Sequence, residues 1–242
     1  MNVSPAPGLV LRGLNTPRRL SDFGLIAFDM DSTLINIECI DEVADAAGRK
    51  AEVAAITEAA MRGEIADYKE SLRRRVALLG GVPATALEEV YTHRLRLNPG
   101  ARELVQACKA AGLKVLLVSG GFTYFTDRVR DELGIDYTRS NVFEIIEGRL
   151  TGRMLDQSWG DICDGEEKKR MLLQTCTRLG ITPARAIAMG DGANDLPMMQ
   201  ACADAGGLSV AYHAKPKVRE QAMVSIEMGG LDRLLEVLAP GL

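Results

Sequence analysis

The chain has only two histidines, His93 and His213, and its five cysteines, Cys39, Cys108, Cys163, Cys176 and Cys202, form no CxxC pair. That leaves little material for a zinc site built on nitrogen and sulfur, so a bound metal is expected on oxygen, which favours magnesium over zinc. An odd number of scattered thiols fits a reducing compartment, the cytoplasm, better than a disulfide framework. No apolar run approaches the roughly 20 residues that a membrane-spanning helix needs, so no membrane partner is expected. Long Lys/Arg blocks are missing too: 29 basic against 33 acidic residues leave a net charge of −4, which argues against nucleic acid as a partner. Arg18 and Arg19 form a twin-arginine pair, but only the short stretch GLIAF follows before the acids begin, so no export leader is expected.

What is present is an ordinary globular composition, 47% hydrophobic and 26% charged over 242 residues, enough for a large core with a smaller insertion. The apolar runs LIAFDMD (25–31), KVLLVSGG (114–121), AIAMGDG (186–192), GLSVAY (207–212) and MVSIEM (223–228) alternate with helical patterns. Near-continuous apolar strands joined by helices predict an α/β fold, a doubly wound, Rossmann-like parallel sheet. Residues 37–97 read as helix throughout, broken at Gly48, Gly63, Gly80, Gly81 and Pro83, which predicts a helical-bundle cap inserted after the first strand. The expected division is a loose N-terminal arm over 1–20, an α/β core over 21–36 and 98–242, and the cap over 37–97. Residues 141–155 alternate about Glu147 and Gly148 and predict a small β-hairpin projecting from the core.

The strand-like runs end in polar segments, DMDST, SGG and GDGAND, and ligands in such folds bind just beyond the carboxyl ends of strands. Asp29 and Asp31, two apart on a strand, are expected to face one side with Cα atoms roughly 6.6 Å apart. By themselves they fit equally a solvated strand end that caps the next helix. A second acidic turn carries Asp191, Asn194 and Asp195, and two converging carboxylate clusters make an oxygen-rich site suited to Mg²⁺ and a phosphate. VSGGF offers the Ser119 hydroxyl, backbone N–H groups at Gly120 and Gly121, and a helix start near Phe122 for an anion. A cation is available in DGEEKKRML, where Lys168, Lys169 and Arg170 are consecutive and the pattern alone does not choose among them.

Over residues 22–240 the chain resembles the haloacid dehalogenase-like hydrolases, and within them the phosphoserine phosphatases, through DMDST, VSGG, a lysine and GDGANDLPM in that order. The resemblance implies that Asp29 is the nucleophile that forms an aspartyl-phosphate and that Asp31 is the acid/base. It implies that Ser119, the Gly120 N–H and Lys168 hold the phosphoryl group, with Lys168 rather than Lys169 matching the family's spacing. Asp29, the main-chain carbonyl of Asp31 and Asp191 would ligate Mg²⁺, with Asp195 supporting the metal and Asn194 the substrate. Because the metal favours ionised carboxylates, the Asp31 side chain is expected to turn away from it.

The stretch INIECIDEVA resembles the phosphoserine branch at Glu38, which would pair with a substrate ammonium. In SLRRRVALL the resemblance puts Arg75 on the substrate carboxylate, and both residues lie in the expected cap, which would then be a specificity lid. The implied activity is Mg²⁺-dependent hydrolysis of the small molecule O-phospho-L-serine, the last step of serine biosynthesis, by a monomer or homodimer. Two alternatives stay open. One is an enzyme for another phosphomonoester, such as phosphoethanolamine or phosphohomoserine. The other is a phospho-acceptor signalling module, against which a second acid poised to activate water argues. Some family members carry an N-terminal regulatory domain; with only residues 1–20 before the first expected strand, none is expected here.

Overall fold

Residues Leu25 to Phe28 are all fully buried, and their side chains divide alternately between two apolar cores. Ile26 and Phe28 enter one and Leu25 and Ala27 the other; Val115 and Leu117 separate from Leu116 and Val118, and Ile187 and Met189 from Ala186 and Ala188, in the same way. A strand covered on both faces needs such a pattern, in which period-two alternation sorts apolar residues between faces rather than apolar from polar.

The computed structural model describes residues 2–13, 18–61, 64–65 and 67–239; Gly63, one of the expected helix breaks, lies outside them. In chain order the strands are β1 (Asn2–Val3), β2 (Leu9–Arg12), β3 (Arg18–Arg19), β4 (Leu25–Phe28), β5 (Lys114–Phe122), β6 (Tyr137–Asn141), β7 (Phe143–Ile146), β8 (Arg149–Met154), β9 (Ala186–Gly190), β10 (Leu208–Tyr212), β11 (Val224–Ile226) and β12 (Leu238–Ala239). The helices are α1 (Cys39–Ala46), α2 (Lys50–Met61), α3 (Tyr68–Ala77), α4 (Thr85–Glu89), α5 (Ala101–Ala110), α6 (Thr123–Leu133), α7 (Gly165–Leu179), α8 (Leu196–Asp204), α9 (Pro216–Gln221) and α10 (Leu234–Val237).

An eight-stranded sheet runs β1-β2-β11-β10-β9-β4-β5-β6, parallel from β11 through β6. The chain moves outward from β4 to β5 and β6, then returns to β9 on the other side of β4 and continues to β10 and β11. This reversal makes a switch point at the carboxyl end of β4, where two connections leave in opposite directions and open a crevice.

The main sheet departs from the sequence reading at both of its edges. The arm expected to be loose supplies β2, which pairs antiparallel with β11 and buries Leu9 completely. The edge of β11 would otherwise present unpaired backbone groups, and the short run LVLR satisfies them. Strand β6 was not anticipated, because its sequence YTRSN has no apolar alternation; it sits at the opposite edge of the sheet.

Helices α1 to α4 lie between β4 and α5, with α1 packed on α2 and α2 on α3. The chain leaves and re-enters this bundle side by side: Ile35 bridges Leu97, and Asn98 Nδ2 donates to the carbonyls of Thr33 and Ile35. The hairpin β7–β8 forms about Glu147 and Gly148, at φ 49° and 72°, the paired left-handed values of a tight hairpin turn. Besides joining the core, it docks on the α3–α4 connection through Gly81 N to Leu150 O and Leu150 N to Val82 O. All five cysteines are buried and unpaired, and among the described residues no helix is long and apolar enough to cross a membrane.

Candidate active site

Strand β4 stops at Phe28, three residues before the second acid. Asp29 remains tied to the sheet, its N–H donating to Met189 O, but Asp31 lies in a wound turn over residues 30–34. There Ser32 adopts a left-handed conformation at φ 57° and the Ile35 N–H returns to Met30 O. The expectation that both acids extend one strand, alternating to a common side, is therefore corrected. The turn, not strand alternation, sets the direction of Asp31.

The SGG segment is likewise part of a strand rather than a turn following it. Between Val118 and Phe122 the register of β5 against β6 slips, so that Ser119, Gly120 and Gly121 stand opposite Ser140 alone. Such a bulge pushes the extra backbone out of the ladder and frees its N–H groups. The buried Ser119 hydroxyl accepts from Gly121 N at 2.8 Å. Asn141, at the end of β6, fixes the segment from outside, donating to Gly120 O at 2.7 Å and accepting from Cys163 N at 2.8 Å.

Helix α7 begins with Asp164 accepting from the Glu167 N–H, and its first turn brings in Lys168 with no exposure. Lys168 Nζ donates to Asp29 Oδ1 at 2.5 Å and to Asp195 Oδ1 at 2.7 Å. Burial favours the neutral amine, but Asp195 and Asp29 overcome it and hold the pKa well above that of an ordinary lysine. Lys169 reaches Glu166 at 3.9 Å and Arg170 pairs with Glu167, so the next two cations leave the site.

Asp195 is fully buried and uses both oxygens, its Oδ2 accepting from the N–H groups of Asp191 at 3.2 Å and Gly192 at 3.0 Å. It thereby shapes the GDGAND turn so that Asp191 faces the crevice. Carboxylate oxygens of Asp29, Asp191 and Asp195 all lie within 4.8 Å of one another. Asp31 stands outside this group, with Oδ2 3.1 Å from the point a Gly121 Cβ would occupy and Oδ1 buried without a hydrogen-bond partner.

The charge balance is uneven. Burial and then Glu38 push Asp31 up to about 8, and burial, Asp195 and Glu38 push Asp191 up to about 7. Burial and Asp195 also raise Asp29 well above the carboxylate range, against the opposing pull of Lys168. One buried ammonium does not neutralise this many carboxylates. An all-oxygen donor set with unmet negative charge fits a hard divalent cation.

A cavity of about 590 Å³ opens above these groups, lined by Asp29, Asp31, Ser119, Gly120, Asp191 and Asn194 from the core and by Glu38 and Arg75 from the helical side. Lys168 and Asp195 lie behind its wall. Glu38 accepts from Ser32 Oγ at 2.7 Å, while Arg75 Nε is buried with no partner. Arg73 and Arg74 are taken up by Asp161 and Glu70, so α3 directs one arginine of three inward. Tyr68, Lys215 and Asn141 escaped the sequence reading. Tyr68 precedes Arg75 by seven residues, a spacing that repeats on one helix face, and so had a signal. Lys215, whose N–H donates to Asp191 O, and Asn141 had none.

The family model of the haloacid dehalogenase-like hydrolases matches residues 23–203. A phosphoserine phosphatase of Polaromonas sp. strain JS666 is 76% identical over 233 residues, 96% of this chain and 97% of that protein. One from Albidiferax ferrireducens is 72% identical over 235 residues, 97% of this chain and 98% of the relative. Among solved structures, a phospho-aspartyl intermediate analogue of phosphoserine phosphatase superposes with a TM-score of 0.80 at 36% identity, covering 90% of this chain and 99% of the other.

Proposed function

The chain belongs to the haloacid dehalogenase-like hydrolases and, within them, to the phosphoserine phosphatase family, and from that premise we propose that it hydrolyses O-phospho-L-serine to L-serine and phosphate. One observation carries the choice of substrate. The cavity lined by Asp29 and Ser119 is also lined by Glu38 and by Arg75, whose Nε has no partner. An anion and a cation beside a phosphoryl site complement the ammonium and carboxylate of an amino-acid phosphomonoester.

In this reading Asp29 attacks phosphorus in line and carries the phosphoryl group as an aspartyl-phosphate, dividing one difficult hydrolysis into two displacements. Lys168, the Ser119 hydroxyl and the Gly120 N–H hold the phosphoryl oxygens. Asp29, Asp191 and the main-chain carbonyl of Asp31 would hold Mg²⁺, which would offset the repulsion between the phosphate dianion and the carboxylates. Asp31 protonates the departing serine oxygen and then takes a proton from the water that attacks the aspartyl-phosphate. Its elevated pKa, about 8, supports the first role, since the acid must keep its proton near neutral pH. Asp195 keeps Lys168 and Asp191 in place, and Asn194 lies where it can meet substrate.

Residues 37–97 act as the cap that selects the substrate, and the reaction supplies serine as the last step of its biosynthesis. Five free, buried thiols support a reducing compartment, the cytoplasm, for this activity. The test is phosphate release from a panel of phosphomonoesters, with and without Mg²⁺, by wild type and Asp29→Asn. Turnover of phosphoethanolamine at a rate matching phosphoserine would defeat the substrate assignment, because that ester leaves Arg75 without a carboxylate.

A further inference from the structure

Tyr68 opens helix α3 and lines the cavity, with its ring packed against the core. A Cβ on Gly120 would sit 2.0 Å from the Tyr68 hydroxyl oxygen and 3.2 Å from the ring carbon bearing it. The hydroxyl therefore lies directly over the Gly120 backbone, in space that the missing side chain leaves. Among the described residues it has no hydrogen-bond partner, and a phenol inside a protein ordinarily finds one.

We propose that the Tyr68 hydroxyl donates a hydrogen bond to a phosphoryl oxygen lodged beside Gly120. The proposal rests on the reading of Ser119 and Gly120 as the phosphoryl cradle and adds to it a ligand from the helical side. Burial raises the Tyr68 pKa, so the group stays a neutral phenol, able to donate to an anion. Seven residues along α3, two helical turns, Arg75 lines the same cavity. The helix thus presents a donor to each end of the substrate, the phosphoryl group at Tyr68 and the carboxylate at Arg75. Tyr68 belongs to the helical insertion and Gly120 to the sheet, so a phosphoryl oxygen held by both would bridge the two parts.

The experiment is Tyr68→Phe in the full chain, which keeps the ring and removes the hydroxyl. Inhibition constants for inorganic phosphate and for L-serine are measured with Mg²⁺ present, alongside a melting curve. The expected result is phosphate affinity weakened about tenfold, with L-serine affinity unchanged. An unchanged melting curve supports loss of a single contact. Phosphate affinity equal to wild type overturns the proposal, as does equal weakening for both ligands, which assigns Tyr68 to packing of the helix. If wild type releases phosphate from phosphoserine while the variant keeps its phosphate affinity, Tyr68 alone is refuted. A wild type that neither binds phosphate nor releases it overturns the cradle and Tyr68 together.

Discussion

Lys168 Nζ and Asp29 Oδ1 lie 2.5 Å apart with the lysine wholly buried, so the cation proposed to neutralise phosphate and the carboxylate proposed to attack it are already paired in this structure. Asp195 grips the same ammonium at 2.7 Å from the other side. Replacing Lys168 by Met leaves two buried carboxylates facing each other. The expected outcome is loss of turnover together with about 3–5 kcal/mol of stability, read from phosphate release and urea unfolding. Retention of both by Lys168→Met would show that the pair is dispensable.

Asp29→Asn is expected to abolish turnover, since an amide is not a competent nucleophile. Asp31→Asn should slow both formation and breakdown of the aspartyl-phosphate by about 10²–10⁴-fold, because proton transfer contributes to each step. Single-turnover kinetics separate the two phases. A near-normal rate in either phase would remove Asp31 from that phase.

Three adjacent arginines should behave differently. Arg75→Ala is expected to reduce kcat/KM for phosphoserine by about tenfold or more, and to affect carboxylate-free esters much less. Arg73→Ala and Arg74→Ala remove exposed pairs with Asp161 and Glu70, and pairs of that kind are worth about 0–1 kcal/mol. Their kinetics should match wild type. An equal loss across substrates for Arg75→Ala would indicate a structural role.

Protons and metal should compete for the acidic group. Asp31 and Asp191 rise from 3.8 to about 8 and about 7 on folding, so between these limits the metal-free native state binds more protons than the unfolded chain. Their contribution to stability is fully present below the unfolded value and is lost as pH rises through the folded values. The metal-free melting temperature should therefore fall between pH 5.5 and 8 more steeply in wild type than in Asp31→Asn, with Mg²⁺ reducing the fall. Calorimetry of Mg²⁺ binding in buffers of different ionisation enthalpy should register proton release. Affinity independent of pH across this range would contradict it.

The chemistry-bearing residues were legible because they sit in short local patterns. DMDST, SGG and GDGAND each adjoin an apolar run, and the runs announced β4, β5 and β9 because a doubly covered strand is apolar on both faces. Where burial was one-sided or an edge was polar, the signal failed. YTRSN formed β6 and the N-terminal LVLR joined β11, each held by backbone pairing that composition does not encode.

Sequence by itself therefore determined the fold class, the acids and the order in which they meet the sheet. It could not decide among Lys168, Lys169 and Arg170 or, without a resemblance, among Arg73, Arg74 and Arg75. Consecutive residues on a helix point about 100° apart, so the choice belongs to the rotation at which α7 and α3 dock. Tertiary packing also placed Tyr68 over Gly120 and tied Asn141 to Gly120 across two strands. Local periodicity says which face of an element is buried, whereas the phase between elements is set only when their surfaces pack.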